Sequence, residues 1–306
     1  MRGLLRMIAL LHRSVMSALD HDGLNVAQAT AYSAIIALFP GLILAAALVA
    51  LLPDTLPLRF QMAVFFDRIL PSNVSPLLET YFETTHRTPQ STHALIGSIL
   101  VSITGGTGVM ATLMEGFRRA YDLPIETGEF WRRRRRALVL MMLSLVPFTV
   151  ASALVVFGHL LTVWLAMHVV QDGRTPVYVL ALAIRWSVAL AGSVGIIAVI
   201  YHMGTPMEQR HAADPGTQPW QRVLPGAAVA TAMWFLTTLA FGWYVTRFAN
   251  YSQVYGSLGA GIALLLWLYI IALSVLCGAE FNAQLFSKRK REKARGGGDG
   301  PERGHE

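Results

Sequence analysis

An all-α membrane protein, with six transmembrane helices, both termini cytoplasmic and an N-terminal interfacial helix, is the fold class this sequence predicts, on three observations. First, the 306 residues are 54% hydrophobic and only 14% charged, with mean hydropathy +0.48, against about 25% charged in an ordinary soluble domain. Second, six runs, uncharged but for Arg185 in the fourth, are each long enough to cross roughly 30 Å of hydrocarbon, which takes about 20 helical residues. Third, basic residues are lopsided: with the N-terminus inside, the cytoplasmic segments hold 19 of the 25 Lys and Arg and the outer loops 5, the remaining one being Arg185. Positive loops are retained on the cytoplasmic side. So few charges cannot coat a soluble core, which excludes a cytosolic enzyme and a disordered chain. Cys277 stands alone, so the chain is neither a disulfide scaffold nor a cysteine metal site.

In chain order, residues 1–22 read as an amphipathic cytoplasmic or interfacial helix. Leu4, Ile8, Leu11, Val15 and Leu19 recur every three or four residues, while Arg2, Arg6 and Arg13 are available to lipid headgroups. The alternative is a helix packed on the bundle. Arg6 interrupts its apolar stretch, so it does not read as a cleavable signal. Residues 23–287 form the transmembrane domain, with spans at 23–53, 88–114, 137–171, 175–207, 223–246 and 248–279. The outer loop, about 54–87, carries apolar clusters at 62–66 and 77–82 that suit short amphipathic helices. Residues 288–306 turn basic and then glycine-rich, without apolar periodicity, and are expected to form a disordered cytoplasmic tail.

The residues offer little to an enzyme. None of the nine histidines belongs to a His-x-Glu or His-Glu-x-x-His pattern, and no two lie three or four apart, so no zinc site has a local signature. Asp122, Glu126 and Glu129 are more simply counter-charges to the neighbouring arginines than a two-metal nuclease site. No Gly-x-x-x-x-Gly-Lys run exists to cradle a nucleotide phosphate. No cofactor, metal or catalytic residue is expected. The basic runs at 132–136 and 288–295 abut cytoplasmic helix ends, where topology and attraction to anionic lipid headgroups, about 1 kcal/mol per basic residue, account for them. Membrane lipids, and not nucleic acid, are therefore the expected partners.

Two features suggest a substrate path. Arg185 lies inside the fourth span, where a charge costs about 2.5–3.5 kcal/mol on insertion scales. It either engages an anionic group, or snorkels outward or caps a carbonyl in the bundle. Pro40-Gly41 in the first span, and Thr104, Gly105, Gly106, Thr107 and Gly108 in the second, loosen the backbone near mid-membrane. Such interruptions either build transport sites or permit close helix packing. At the inner side, Glu115, Arg118, Glu280 and Asn282, joined by Tyr32 and Ser33, form either a cytoplasmic gate or a set of interhelical polar contacts.

Taken in order, Ala31-Tyr32-Ser33, Leu38-Phe39-Pro40, Arg119-Ala120-Tyr121, Leu224-Pro225-Gly226-Ala227, Tyr255-Gly256-Ser257-Leu258-Gly259, Trp267-Leu268-Tyr269 and Gly278-Ala279-Glu280-Phe281-Asn282 form a specific pattern. On it, residues 20–285 resemble the YihY/BrkB family of bacterial inner-membrane proteins, once labelled ribonuclease BN. The chain departs from the family's habit at Arg118, where asparagine is common, and at Phe281, where an aliphatic residue is commoner. The resemblance implies a six-helix inner-membrane fold and no settled activity. Links to virulence, serum resistance and lipid or lipopolysaccharide export have been suggested for members. The expectation is a non-enzymatic transporter or flippase for a lipid or other anionic amphiphile. The alternatives are a membrane scaffold in envelope assembly and, least supported by the residues, a ribonuclease.

Overall fold

The computed structural model describes residues 2–50, 92–123, 130–145, 174–205, 220–247 and 257–296. Among these the regular elements are all helical. They are α1 (Arg2–Asp20), α2 (Gly23–Ala50), α3 (Thr92–Ala120), α4 (130–145), α5 (Arg174–Gly204), α6 (Leu224–Arg247), preceded by a 3-10 turn at Trp220–Arg222, and α7 (Ser257–Gly296).

Among the described residues four helices are long and apolar enough to cross a membrane: Ile96–Ala120, Leu182–Gly204, Leu224–Val245 and Gly261–Leu285. They coincide with the expected second, fourth, fifth and sixth spans. Helix α2 occupies the first, and α4 opens the third, whose remainder to residue 171 lies outside the described residues, as does the outer loop 54–87.

Helix α1 shows why the amphipathic pattern matters. Ser14 and Ala18 are buried against the bundle, and Ser17 Oγ accepts a hydrogen bond from Gln284 Nε2 of α7 at 2.9 Å. Beside this contact, Leu5, Ile8, Met16 and Leu19 leave an apolar strip uncovered. The helix thus docks on the bundle through one edge and leaves another exposed. It ends at Asp22, whose φ of 64° is left-handed. The following residue must be Gly23, since a Cβ there would collide with the Ala18 carbonyl oxygen. The end of α3 repeats the device: Asp122 has φ 50°, Asp122 N–H donates to the Arg119 carbonyl at 3.0 Å, and Leu123 N–H donates to the Arg118 carbonyl at 3.0 Å.

Small residues set the helix spacing. Gly226 on α6 and Gly278 on α7 bring two backbones together so closely that a Cβ on either would overlap the other's carbonyl oxygen. Gly116 of α3 makes room for Leu276, and Phe117 meets Tyr201 edge-on at 5.2 Å between ring centroids. Around these contacts lies a core of Val26 and Ala27 from α2, Leu113 from α3, Ala198 from α5, and Ala227 and Ala230 from α6.

Two expectations need correction. The glycine and proline positions do not break their helices: α2 runs through Pro40 and α3 through Gly105, Gly106 and Gly108. Neighbouring helices hold them, and Ser102 Oγ donates to the Ala37 carbonyl at 3.4 Å, one turn before the proline. The basic tail is helical through Gly296, past its expected start at residue 288. Lys, Arg, Glu and Ala are good helix formers, and no glycine interrupts them before residue 296. Residues 297–306 lie outside the described ones.

Candidate lipid-facing groove between helices two and three

The face of α2 toward α3 follows a helical stripe that begins at Asp22 and continues through Asn25, Ala29, Ser33 and Ile36. Along α3 the matching stripe is Arg119, Glu115, Thr112, Gly108, Gly105, Thr104 and Val101. A Cβ at Gly105 would lie 2.8 Å from that of Ala37, and one at Gly108 3.1 Å from Ser33 Oγ, so these glycines are the points of closest approach. Polar threonines help seal the seam: Thr30 Oγ1 donates to Thr112 Oγ1 at 2.9 Å.

Two hollows open along this seam. The larger one, about 390 Å³, is lined by Ser33, Ile36, Leu100, Val101, Thr104, Gly105, Gly108 and Arg134. Its lips are apolar and exposed, with Leu100 60% and Val101 43% accessible. Arg134, from α4, reaches over them and donates from Nη2 to the Thr104 carbonyl at 3.0 Å. That carbonyl belongs to the middle of a membrane span. Among the described residues no carboxylate forms an ion pair with Arg134. The second hollow, about 280 Å³, lies toward the α1 end of the seam and is lined by Asp22, Asn25, Glu115, Arg119 and Arg133 among others.

At that end Glu115 is held by three guanidiniums: Arg118 at 2.7 and 3.0 Å, Arg119 at 3.2 Å and Arg133 at 3.0 Å. Arg119 also bonds Asp22 at 2.7 Å, and Arg118 donates to the Leu123 carbonyl at 2.6 Å. This network ties α3 to α4 and to the α1–α2 turn. Next to Asp22 in the α1–α2 turn, His21 pairs with Glu280, its Nδ1 2.6 Å from the carboxylate. Asn282 is a helix clamp: its Oδ1 accepts from Gly226 N–H at 2.7 Å and its Nδ2 donates to the Val223 carbonyl at 3.0 Å.

The residues expected to form one inner cluster therefore separate. Glu115 and Arg118 pair, Glu280 and Asn282 face different partners, Ser33 lines the larger hollow, and Tyr32 is 64% exposed. Of the expected path residues, Thr104, Gly105 and Gly108 line the hollow. Gly106 instead faces the Met141 thioether, and Thr107 is buried with its hydroxyl donated to the Ile103 carbonyl at 2.5 Å. Pro40 and Gly41 continue α2 past the hollow, Gly41 toward Ser102. Residue 185 lies on α5, about 24 Å along the axis from Tyr201 at 1.5 Å per residue. Its side chain lies outside the described ones. Arg134 and His21 escaped the sequence reading: the first sat inside an arginine run explained by topology, the second in a turn with no spacing motif.

A bundle of long apolar helices with a laterally open seam defines a multi-pass integral membrane protein. The whole length between residues 15 and 302 matches the family model described as virulence factor BrkB, and the chain belongs to that family. It is 29% identical over 272 residues to a protein of Bacillus subtilis named ribonuclease-like protein YfkH, covering 88% of this chain and 92% of that one. It is 27% identical over 276 residues to a UPF0761 membrane protein of Chromohalobacter salexigens, covering 89% of this chain and 62% of that longer one. A UPF0761 membrane protein of Alteromonas mediterranea is 25% identical over 273 residues, with 86% and 84% covered. No solved structure matches the chain.

Proposed function

We propose that this protein is a bacterial inner-membrane transporter or flippase for a lipid or another anionic amphiphile, with six spans, both termini cytoplasmic and the headgroup path along the α2–α3 seam. The observation that carries this reading is the larger hollow. It combines exposed apolar lips at Leu100 and Val101, which suit an acyl chain, with the Arg134 guanidinium and the Ser33 and Thr104 hydroxyls. A cation among apolar walls favours an anion that carries its own hydrocarbon, because the ion pair is strong where water is scarce and the chain replaces lipid contacts. Arg185 on α5 is proposed as a second engagement point for the anion on the outer side, with Thr104, Gly105 and Gly108 shaping the path. In this reading Glu115 with its arginines and the Asp22–Arg119 pair close the inner mouth.

The test is native mass spectrometry of the full chain with phosphatidylglycerol and phosphatidylethanolamine offered together. Wild type is expected to retain the anionic lipid selectively, and Arg134→Gln to retain it about tenfold less, equivalent to about 1.4 kcal/mol. Vesicle assays then compare wild type, Arg134→Gln, Arg185→Ala and Gly105→Leu for headgroup movement between leaflets. Equal retention of both lipids by wild type, or full movement by all three variants, refutes the reading.

A further inference from the structure

We infer that His21 and Glu280, with Asp122 at the rim, form a proton-binding site at the membrane face that carries α1. The inference is independent of any transported substrate.

Glu280 lies in the span Gly261–Leu285, and its side chain is only 4% exposed. A carboxylate so withdrawn from water needs a positive or proton-donating partner. This protein has a ready solution, used at Glu115, where three arginines hold the carboxylate. Arginine is always charged, so that site is locked. Glu280 receives a histidine instead, and histidine is the side chain whose charge changes near neutral pH. His21 Nδ1 lies 2.6 Å from Glu280 Oε1. Its other nitrogen, Nε2, lies 3.6 Å from Asp122 Oδ1. The exposures of the three side chains form a series: 4% for Glu280, 33% for His21 and 87% for Asp122. A buried carboxylate is thus joined to water through a ring with one nitrogen toward each.

The step balances without any other reactant. With His21 neutral and its proton on Nδ1, a proton from water, drawn by the Asp122 carboxylate at the rim, binds Nε2 of the one-third-exposed ring. The ring then passes its Nδ1 proton to Glu280 Oε1, leaving a neutral glutamic acid and a neutral ring protonated on Nε2. Release runs the same path backwards. Asp20 and Asp122 are the acidic groups that face Glu280 from outside its helix, and both attract the incoming proton. On α7 itself the neighbouring titratable group is Cys277, one turn back. Asp22 and Glu115, from the α2 and α3 side, are engaged with Arg119 and leave the pair alone. Among the described residues no group of three His, Cys, Asp or Glu has the arrangement to hold a metal ion. Because His21 follows α1, Asp122 follows α3 and Glu280 is on α7, the proton changes the charge at a junction of three helices.

Infrared difference spectroscopy of the full chain in lipid vesicles, stepped from about pH 8 to about pH 5, reads the site directly. Wild type is expected to gain a protonated-carboxyl band that Glu280→Gln lacks. His21→Gln is expected to displace the midpoint of that band by about one pH unit or more, and Asp122→Asn by less. A purely structural pairing that docks α1 would alter thermal stability and leave no titrating band. If Glu280→Gln does not fold, the His21→Gln displacement decides. No titrating carboxyl band, or a band whose midpoint ignores His21→Gln, overturns the inference.

Discussion

Asn282 illustrates how one side chain can set a helix pair. Its amide satisfies the Gly226 N–H and the Val223 carbonyl, both at the start of α6, where the first turn of a helix has no backbone partner for its N–H groups. Replacing it with alanine orphans the buried Gly226 N–H, at a cost of about 1–3 kcal/mol, while the Val223 carbonyl keeps the Ala227 N–H at 3.1 Å. Asn282→Ala is therefore expected to lower the melting temperature in detergent markedly, while Asn282→Asp, which keeps the acceptor for Gly226, recovers part of the loss. Glu115 shows the opposite economy, one carboxylate shared among Arg118, Arg119 and Arg133, so that each contact has alternatives. Side-chain identity was readable in advance for Glu115 and Arg118, four positions or fewer apart on one helix. It was not readable for His21 and Glu280, separated by 259 residues, because nothing local marks such a pair.

At the scale of elements, the glycines work as spacers. A helix in the bilayer gains nothing hydrophobic by leaving lipid for another helix, so association depends on close packing, and Gly226 with Gly278 permits backbone contact. Gly226→Ala is expected to push α6 from α7 and lower the yield of folded protein, measured by size-exclusion chromatography after extraction. Gly195→Ala, with open space where the Cβ would go, should leave the elution unchanged. The same physics explains why the expected breaks in α2 and α3 are continuous helix: Gly105 and Gly108 are consumed by the approach to Ala37 and Ser33. A glycine run signals either a break or a close approach, and only the neighbour's position distinguishes them. The hollow beside Gly105 exists because the seam opens where those contacts end, next to Leu100 and Val101.

For the whole molecule, the unequal placement of Lys and Arg predicts that both termini share the cytoplasmic face. Cys277 is buried, so single engineered cysteines can report accessibility against a quiet background. Ser17→Cys and Ser287→Cys are expected to react with a membrane-impermeant maleimide only in inverted vesicles, and Ser72→Cys only in intact spheroplasts. Any reversal of that pattern overturns the six-span, cytoplasmic-termini arrangement.

Composition, run length and apolar periodicity determined the class of this protein by themselves: a helical membrane bundle with an amphipathic first helix and long spans at four of the expected places. These properties follow from each segment's own transfer free energy and need no knowledge of its neighbours. The tertiary structure alone decided that Arg134 lies over the Thr104 carbonyl, that Glu280 meets His21, and that Tyr32 is exposed. Those are meetings between distant segments, fixed by which small residues let which helices approach, and one-dimensional spacing does not encode them.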